Sequence, residues 1–123
     1  MTSGSDRPSV AIVEDDASLL GALAFALQEE GFTIRQAAGR REFFDHPIAA
    51  DCFVVDFRLG DADGLTLISE LRAAGFMSPA ILITTHPDER CRRRAAGLGV
   101  EIVEKPLIGT ELAQHIEAAI ARG

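Results

Sequence analysis

Glu14, Asp15, Asp56, Thr84 and Lys105 are three carboxylates, a hydroxyl and an ammonium, each set at or just past the end of a short apolar run. If the five converge, the carboxylates repel one another and tend to keep their protons unless a cation neutralises them. Such a set asks for a metal. Oxygen donors favour a hard divalent ion, Mg²⁺ (or Mn²⁺), and the lack of a His or Cys cluster argues against zinc. A metal, an ammonium and a hydroxyl around one carboxylate suit phosphoryl chemistry, in which charge on the equatorial oxygens must be stabilised. Asp56 is then the nucleophile. Eleven of the 12 Lys and Arg residues are Arg, which leaves Lys105 as the only lysine. A compact ammonium on a flexible stem does what a planar guanidinium, with its preference for two acceptors, does not.

Taken singly, each residue also has an ordinary role. Asp15 or Asp16 can cap a helix, Asp56 can be a loop carboxylate, Thr84 a β-branched strand residue and Lys105 a solvated charge before a turn. What raises the odds of shared chemistry is that several separate strand ends supply complementary groups.

The elements that would position them follow from the apolar pattern. Short β-branched runs alternate with stretches of helical period, the pattern of βα units around a parallel sheet. Five units are expected. Val10–Val13 is the first strand, followed by a helix from about Ala17 in which Leu20, Leu23 and Leu27 recur at helical spacing and which Gly31 can cap. Thr33–Ala37 reads as the second strand and Arg40–Asp45 as a short helix stopped by Pro47. Cys52–Val55 is a continuous apolar run, as a central strand covered on both faces requires, and it ends at Asp56. Leu65, Ile68 and Leu71 mark a third helix ending near Gly75, and Ala80–Ile83 a fourth strand closed by Thr84. A fourth helix is expected from about Asp88 to Leu98, a brief strand at Ile102–Glu104, and a last helix capped by Thr110 with Leu112, Ile116, Ala119 and Ile120 on one face. Ligands of open α/β sheets bind beyond the carboxyl ends of the strands, and all five polar residues fall on that edge.

Composition narrows the function classes. A chain of 123 residues has room for one core. With 47% hydrophobic and 25% charged residues it has the make-up of a soluble globular domain. A formal net charge of -7 disfavours direct contact with nucleic acid or an anionic membrane. No apolar run approaches a membrane span, and the polar start has no signal-peptide core, so the expected compartment is cytoplasmic. Cys52 and Cys91 have no spacing that suggests a disulfide or zinc site.

From Val10 to about Ala121 the sequence resembles the receiver domains of two-component response regulators. The acidic pair lies in Ile12-Val13-Glu14-Asp15-Asp16, the acceptor in Val54-Val55-Asp56-Phe57-Arg58-Leu59 with Gly64 downstream, and Ile83-Thr84-Thr85-His86 and Glu104-Lys105-Pro106 complete the pattern. The resemblance implies a flavodoxin-like doubly wound (βα)5 α/β fold with strand order 2-1-3-4-5, residues 10–122 forming the receiver and 1–9 a flexible segment. It implies that Asp56 accepts a phosphoryl group and that Asp15, Glu14, Asp56 and the Arg58 backbone carbonyl hold the metal. Thr84, Thr85 and Lys105 would contact the phosphoryl oxygens, and the Lys105–Pro106 bond would be cis. The implied donor is a phosphohistidine on a sensor histidine kinase or phosphotransfer protein, with the receiver catalysing only its own phosphorylation and dephosphorylation. His86, Arg90, Arg94 and Ile102 would belong to the switch and partner face formed by the fourth helix, fifth strand and last helix, through which a homodimer could also form.

The sequence departs from the family pattern at three places. Ile102 stands where many receivers carry Tyr or Phe, Gly60 replaces a common Pro, and Arg58 and His86 occupy variable positions beside the site. One rival is a haloacid-dehalogenase-type phosphatase, but Asp56-Phe57-Arg58 lacks the second carboxylate of that family's Asp-x-Asp. Another is a receiver-like binding module that works without phosphorylation. Asp61-Ala62-Asp63-Gly64 lacks the third acidic position of a calcium loop and is read as a turn. Arg90, Arg92, Arg93 and Arg94 are either a solvated helix face or a docking patch. His46 and His115 are expected at the surface. No effector domain follows the last helix, so a stand-alone receiver or a piece of a longer regulator is expected.

Overall fold

The computed structural model describes residues 7–60, 62–107 and 110–123. In chain order it contains β1 (Ser9–Val13), α1 (Ala17–Glu29), β2 (Thr33–Ala37), α2 (Arg40–Asp45), β3 (Cys52–Asp56), α3 (Gly64–Ala73), β4 (Ala80–Thr84), α4 (Glu89–Leu98), β5 (Glu101–Glu104) and α5 (Glu111–Arg122). The strands form one parallel sheet in the order β2-β1-β3-β4-β5. The flexible segment expected at 1–9 falls largely outside the described residues. Its last member, Ser9, is already strand: it pairs with Thr33, and its N–H donates to the Asp51 carboxylate at 2.8 Å.

Period-2 alternation assigns the side chains of each strand to two separate cores. Val10, Ile12, Cys52, Val54, Ile81 and Ile83 face α1 and α5, where they meet Leu20, Leu23, Leu27, Leu112 and Ile116. Ala11, Val13, Phe53, Val55 and Leu82 face α2, α3 and α4. The inner strands β3 and β4 are therefore buried at every position, whereas β2, on the edge, buries only Ala37. With no Trp or Tyr, the bulk on the second face comes from Phe43, Phe53 and Phe76, whose rings meet edge to face at 6.0–6.3 Å between centroids.

Local signals set the helix ends. Asp16 caps α1 by accepting from the Ser18 and Leu19 N–H groups, Asp63 caps α3 through Thr66, and Asp88 caps α4 through Cys91. Gly31, at φ +102°, follows α1 in a Schellman arrangement, with Phe32 N–H donating to Leu27 and Gly31 N–H to Gln28. One expected cap is absent. Thr110 occupies the position before α5, but among the described residues its side chain makes no capping bond. The turn is instead closed by the backbone bond from Gln114 to the Thr110 carbonyl.

Candidate functional site

The sheet ladder itself aligns the polar residues. Val13 pairs with Val55, which brings the next residues of β1 and β3, Glu14 and Asp56, to the same level. Asp56 pairs with Ile83 and Thr84 with Glu104, and the ladder runs on past the strand ends: Phe57 N–H donates to Ile83 and Lys105 N–H to Thr84. Five groups from four strands thus meet at one edge because hydrogen-bonded neighbours in a parallel sheet end together.

Lys105 Nζ lies 3.1 Å from Asp56 Oδ1 and 3.8 Å from Glu14 Oε1. Ligand oxygens of Glu14, Asp15 and Asp56 all lie within 4.8 Å of one another. The burial of the three differs sharply, with Glu14 1% and Asp56 5% exposed but Asp15 open to solvent. Asp15 is free for the site because Asp16, not Asp15, caps α1.

Glu14 carries the strain of this arrangement. Burial pushes its carboxyl up to about 7, and the neighbouring Asp56 adds to the rise, while the Asp16 N–H bond and the Lys105 ammonium pull the other way. Its Oε2 accepts from Asp16 N–H at 3.1 Å, but among the described residues the buried Oε1 has no hydrogen-bond partner. A buried acceptor without a partner costs about 1–3 kcal/mol, more if charged. An orphaned carboxylate oxygen beside two further carboxylates, all-oxygen and anionic, fits a hard divalent cation such as Mg²⁺.

The β3–α3 loop lies against the same cluster. Gly60 has φ +73°, and a Cβ there would stand 3.4 Å from Asp15 Oδ2. Proline, held near φ −65°, has no access to this conformation, so the loop here takes a path closed to the common Pro that Gly60 replaces. Arg58 and Asp63 form an isolated antiparallel bridge flanked by the bonds Gly64 N–H to Phe57 and Leu59 N–H to Ala62. In such a flanked pair the residues' own carbonyls turn away from the partner, so the Arg58 carbonyl is not consumed by the ladder.

Thr84 is buried, and its hydroxyl makes one long bond, 3.4 Å, to the Thr85 carbonyl. Thr85 and His86 are exposed. His86 is the one non-glycine residue at positive φ, +51°, among the described residues. A recess of about 70 Å³ between Arg58 and the Thr84–Asp88 segment opens beside the site. Larger hollows lie elsewhere, about 360 Å³ between β2 and α2 and about 490 Å³ between α1 and the start of α5. The charged groups gather beside the small recess and not at the larger hollows. The Lys105–Pro106 bond is cis.

The expected switch face divides. Arg90, Arg92 and Arg93 are exposed on α4, Arg93 in a 3.7 Å surface pair with Glu89. Arg94 turns inward instead, giving two bonds, 3.1 and 3.2 Å, to the Asp63 carboxylate. Partial burial raises the Asp63 carboxyl, but its bonds from Arg94 and Thr66 outweigh this and hold it below the ordinary carboxylate value. Ile102 is half-buried and packs on the α2–α3–α4 side of the core. His115, expected as a plain surface residue, is paired through Nδ1 with Glu101 of β5, to which Arg122 also donates at 3.3 Å. The role of Asp63 was not read from the sequence. Its signal was an Asp directly before a glycine and an apolar helical run, the mark of a helix N-terminus.

The family model described as the response regulator receiver domain matches residues 10–117. The chain is 30% identical over 116 residues to the transcriptional regulatory protein FixJ of Azorhizobium caulinodans, covering 92% of this chain and 55% of that protein. It is 34% identical over 119 residues to the sensory transduction protein RegX3 of Mycobacterium tuberculosis, covering 94% and 52%. The chain therefore spans about half the length of these curated relatives. Among solved structures, the non-phosphorylated HemR receiver domain from Leptospira biflexa superposes with a TM-score of 0.84 at 27% identity, covering 94% of this chain and 95% of that one. A CheY-like receiver domain protein from Methanospirillum hungatei gives 0.88 at 19% identity, covering 95% and 96%, a likeness of fold alone.

Proposed function

The chain belongs to the response regulator receiver domain family, and on that premise we propose that it is a signalling switch in which Asp56 is the phosphoryl acceptor. The single observation that carries this reading is the placement of Lys105 Nζ 3.1 Å from Asp56 Oδ1, on the edge where Glu14 and Asp15 also gather. The proposed donor is a phosphohistidine on a sensor histidine kinase or phosphotransfer protein. An Asp56 carboxylate oxygen forms the new bond to phosphorus as the phosphorus–nitrogen bond breaks, and the imidazole leaves with the electron pair.

Glu14, Asp15, Asp56 and the Arg58 carbonyl would hold Mg²⁺ (or Mn²⁺), whose charge, when bound, offsets that of the phosphoryl oxygens. Lys105 places a point charge against one of those oxygens. Thr84, held under the site by its buried position, offers its hydroxyl to another, and Thr85 follows on the same backbone. Movement of Thr84 draws the segment through His86 and α4, so that Arg90 on the α4–β5–α5 face reports the change, while Arg94 moves with α4 against Asp63 and Ile102 packs beneath the helix. The output is a partner or a second copy that reads this face. The protein acts on itself and does not turn over a separate substrate.

The test is intact-mass analysis after incubation with acetyl phosphate and Mg²⁺. One hydroxylamine-labile phosphoryl adduct is expected in the parent and none in Asp56→Asn. An adduct that persists unchanged in Asp56→Asn removes Asp56 from the role.

A further inference from the structure

We propose that the Arg94–Asp63 ion pair couples α4 to the metal-binding loop after β3, so that cation binding at Asp56 and the seating of α4 are thermodynamically linked. This rests on the reading of the site given above and adds a second connection, independent of Thr84, between that site and α4.

The connection is continuous. Asp63 Oδ1 and Oδ2 accept from Arg94 Nη2 and Nη1 at 3.1 and 3.2 Å, and Asp63 Oδ1 also accepts the Thr66 N–H at 2.7 Å. One carboxylate therefore caps α3 and holds α4. Across the backbone bridge, Asp63 faces Arg58, with the bonds Gly64–Phe57 and Leu59–Ala62 on either side closing the loop into a small hairpin. That hairpin carries the Arg58 carbonyl and, at Gly60, the approach to Asp15 Oδ2. A bidentate guanidinium–carboxylate fork fixes direction as well as distance, which a single ammonium contact does not. Both side chains are about one-third exposed, so the pair is partly shielded from solvent, unlike the neighbouring Arg93–Glu89 pair within α4.

The linkage follows from ordering. A cation held by the Arg58 carbonyl fixes the hairpin, and the Arg94 fork fixes the same hairpin from the other side. Whichever acts first lowers the ordering cost left for the second. The effect is reciprocal: if the seated α4 tightens cation binding, cation binding must secure α4 by the same factor. A partner that lifts α4 away then loosens the metal loop, and this protein has no aromatic side chain at Ile102 to carry the signal another way.

The test uses Mg²⁺ alone, without phosphodonor. Calorimetry gives the Mg²⁺ affinity, and hydrogen exchange of the Glu89–Leu98 amides with and without Mg²⁺ reads the helix. In the parent, Mg²⁺ should slow exchange in α4. In Arg94→Gln that slowing should vanish and Mg²⁺ should bind about threefold more weakly, the scale of a partly exposed ion pair and just below the usual range of allosteric coupling. Asp63→Asn, which keeps an acceptor for the α3 cap, should behave in the same way. Arg94→Lys should fall between, and Arg93→Gln should match the parent. Equal Mg²⁺ affinity and equal α4 protection in the parent and Arg94→Gln overturn the linkage while leaving the metal site standing. A parent that binds no Mg²⁺ overturns both readings.

Discussion

A Cβ built on Gly64 would stand 2.3 Å from the backbone carbonyl oxygen of Asp56 and 2.9 Å from both Leu82 Cδ1 and Val55 Cγ1. The first turn of α3 thus rests directly on the residue that carries the proposed chemistry, at a distance only glycine permits. Gly64→Ala must push backbone against backbone and should cost about 2–3 kcal/mol. Gly21 lies inside α1 with nothing within 4 Å of its Cβ position, and Gly21→Ala should stabilise by about 0.5–1 kcal/mol through helix propensity. Urea unfolding of the two variants checks the opposite signs, and a neutral Gly64→Ala would show that the contact relaxes freely.

Glu14 predicts a pH dependence. Its folded pKa, about 7, lies above the ordinary 4.5, so the folded state holds this proton more tightly than the unfolded state does. The associated stability is full below about pH 4.5 and is lost as pH rises through about 7, on the order of 3 kcal/mol in the metal-free protein. Glu14→Gln does not ionise, so its stability relative to the parent should climb from pH 5 to pH 8. Thermal melts of both proteins in chelator across that range test this, and a difference that does not vary with pH contradicts it. Adding Mg²⁺ to the parent at pH 8 should recover stability and should do little for the variant.

Lys105 is a single ammonium standing between Asp56 and Glu14. Lys105→Arg retains the charge but presents a bulkier, planar fork, so phosphorylation should persist while the conformational response is impaired. NMR shifts induced by phosphodonor and Mg²⁺ should shrink over the Thr84–Leu98 segment. Shifts that match the parent's would show that position-specific contact by the ammonium is unnecessary.

Thr84 and Ile102 should separate signal from packing. Ile102 pairs with Leu82 across β4 and β5 and is half-buried, so Ile102→Ala should cost about 1–3 kcal/mol and leave the switch working. Thr84→Ala removes one hydroxyl and should uncouple phosphorylation from movement of Arg90–Arg94. Hydrogen exchange of both variants with and without phosphodonor decides the matter. An intact α4 response in Thr84→Ala, or its loss in a folded Ile102→Ala, would reverse the assignment.

Much of the architecture was legible in the sequence because its signals are local. Continuous apolar runs marked β3 and β4 as inner strands, leucines at helical spacing marked α1, and each strand end carried its own polar residue. Strand order came from family resemblance, not from the apolar pattern. The Thr110 cap, inferred from residue type alone, did not form, since a hydroxyl at the right position caps only when the backbone there turns to meet it.

The sequence by itself determined which residues reach the site, since an apolar run and the polar residue ending it are contiguous and the carboxyl ends of parallel strands share one edge. It did not tell which of the two adjacent acids, Glu14 and Asp15, is buried. Only tertiary structure buried one and exposed the other, because that depends on what α1, β2 and Lys105 place around them. Likewise Asp63 and Arg94 are 31 residues apart. Each has an ordinary local reading, as a turn acid and a helix-face cation, and no pattern along the chain joins them. Their pairing exists because the β3-β4 neighbourhood sets α3 beside α4, and such a contact is a property of packing, not of spacing.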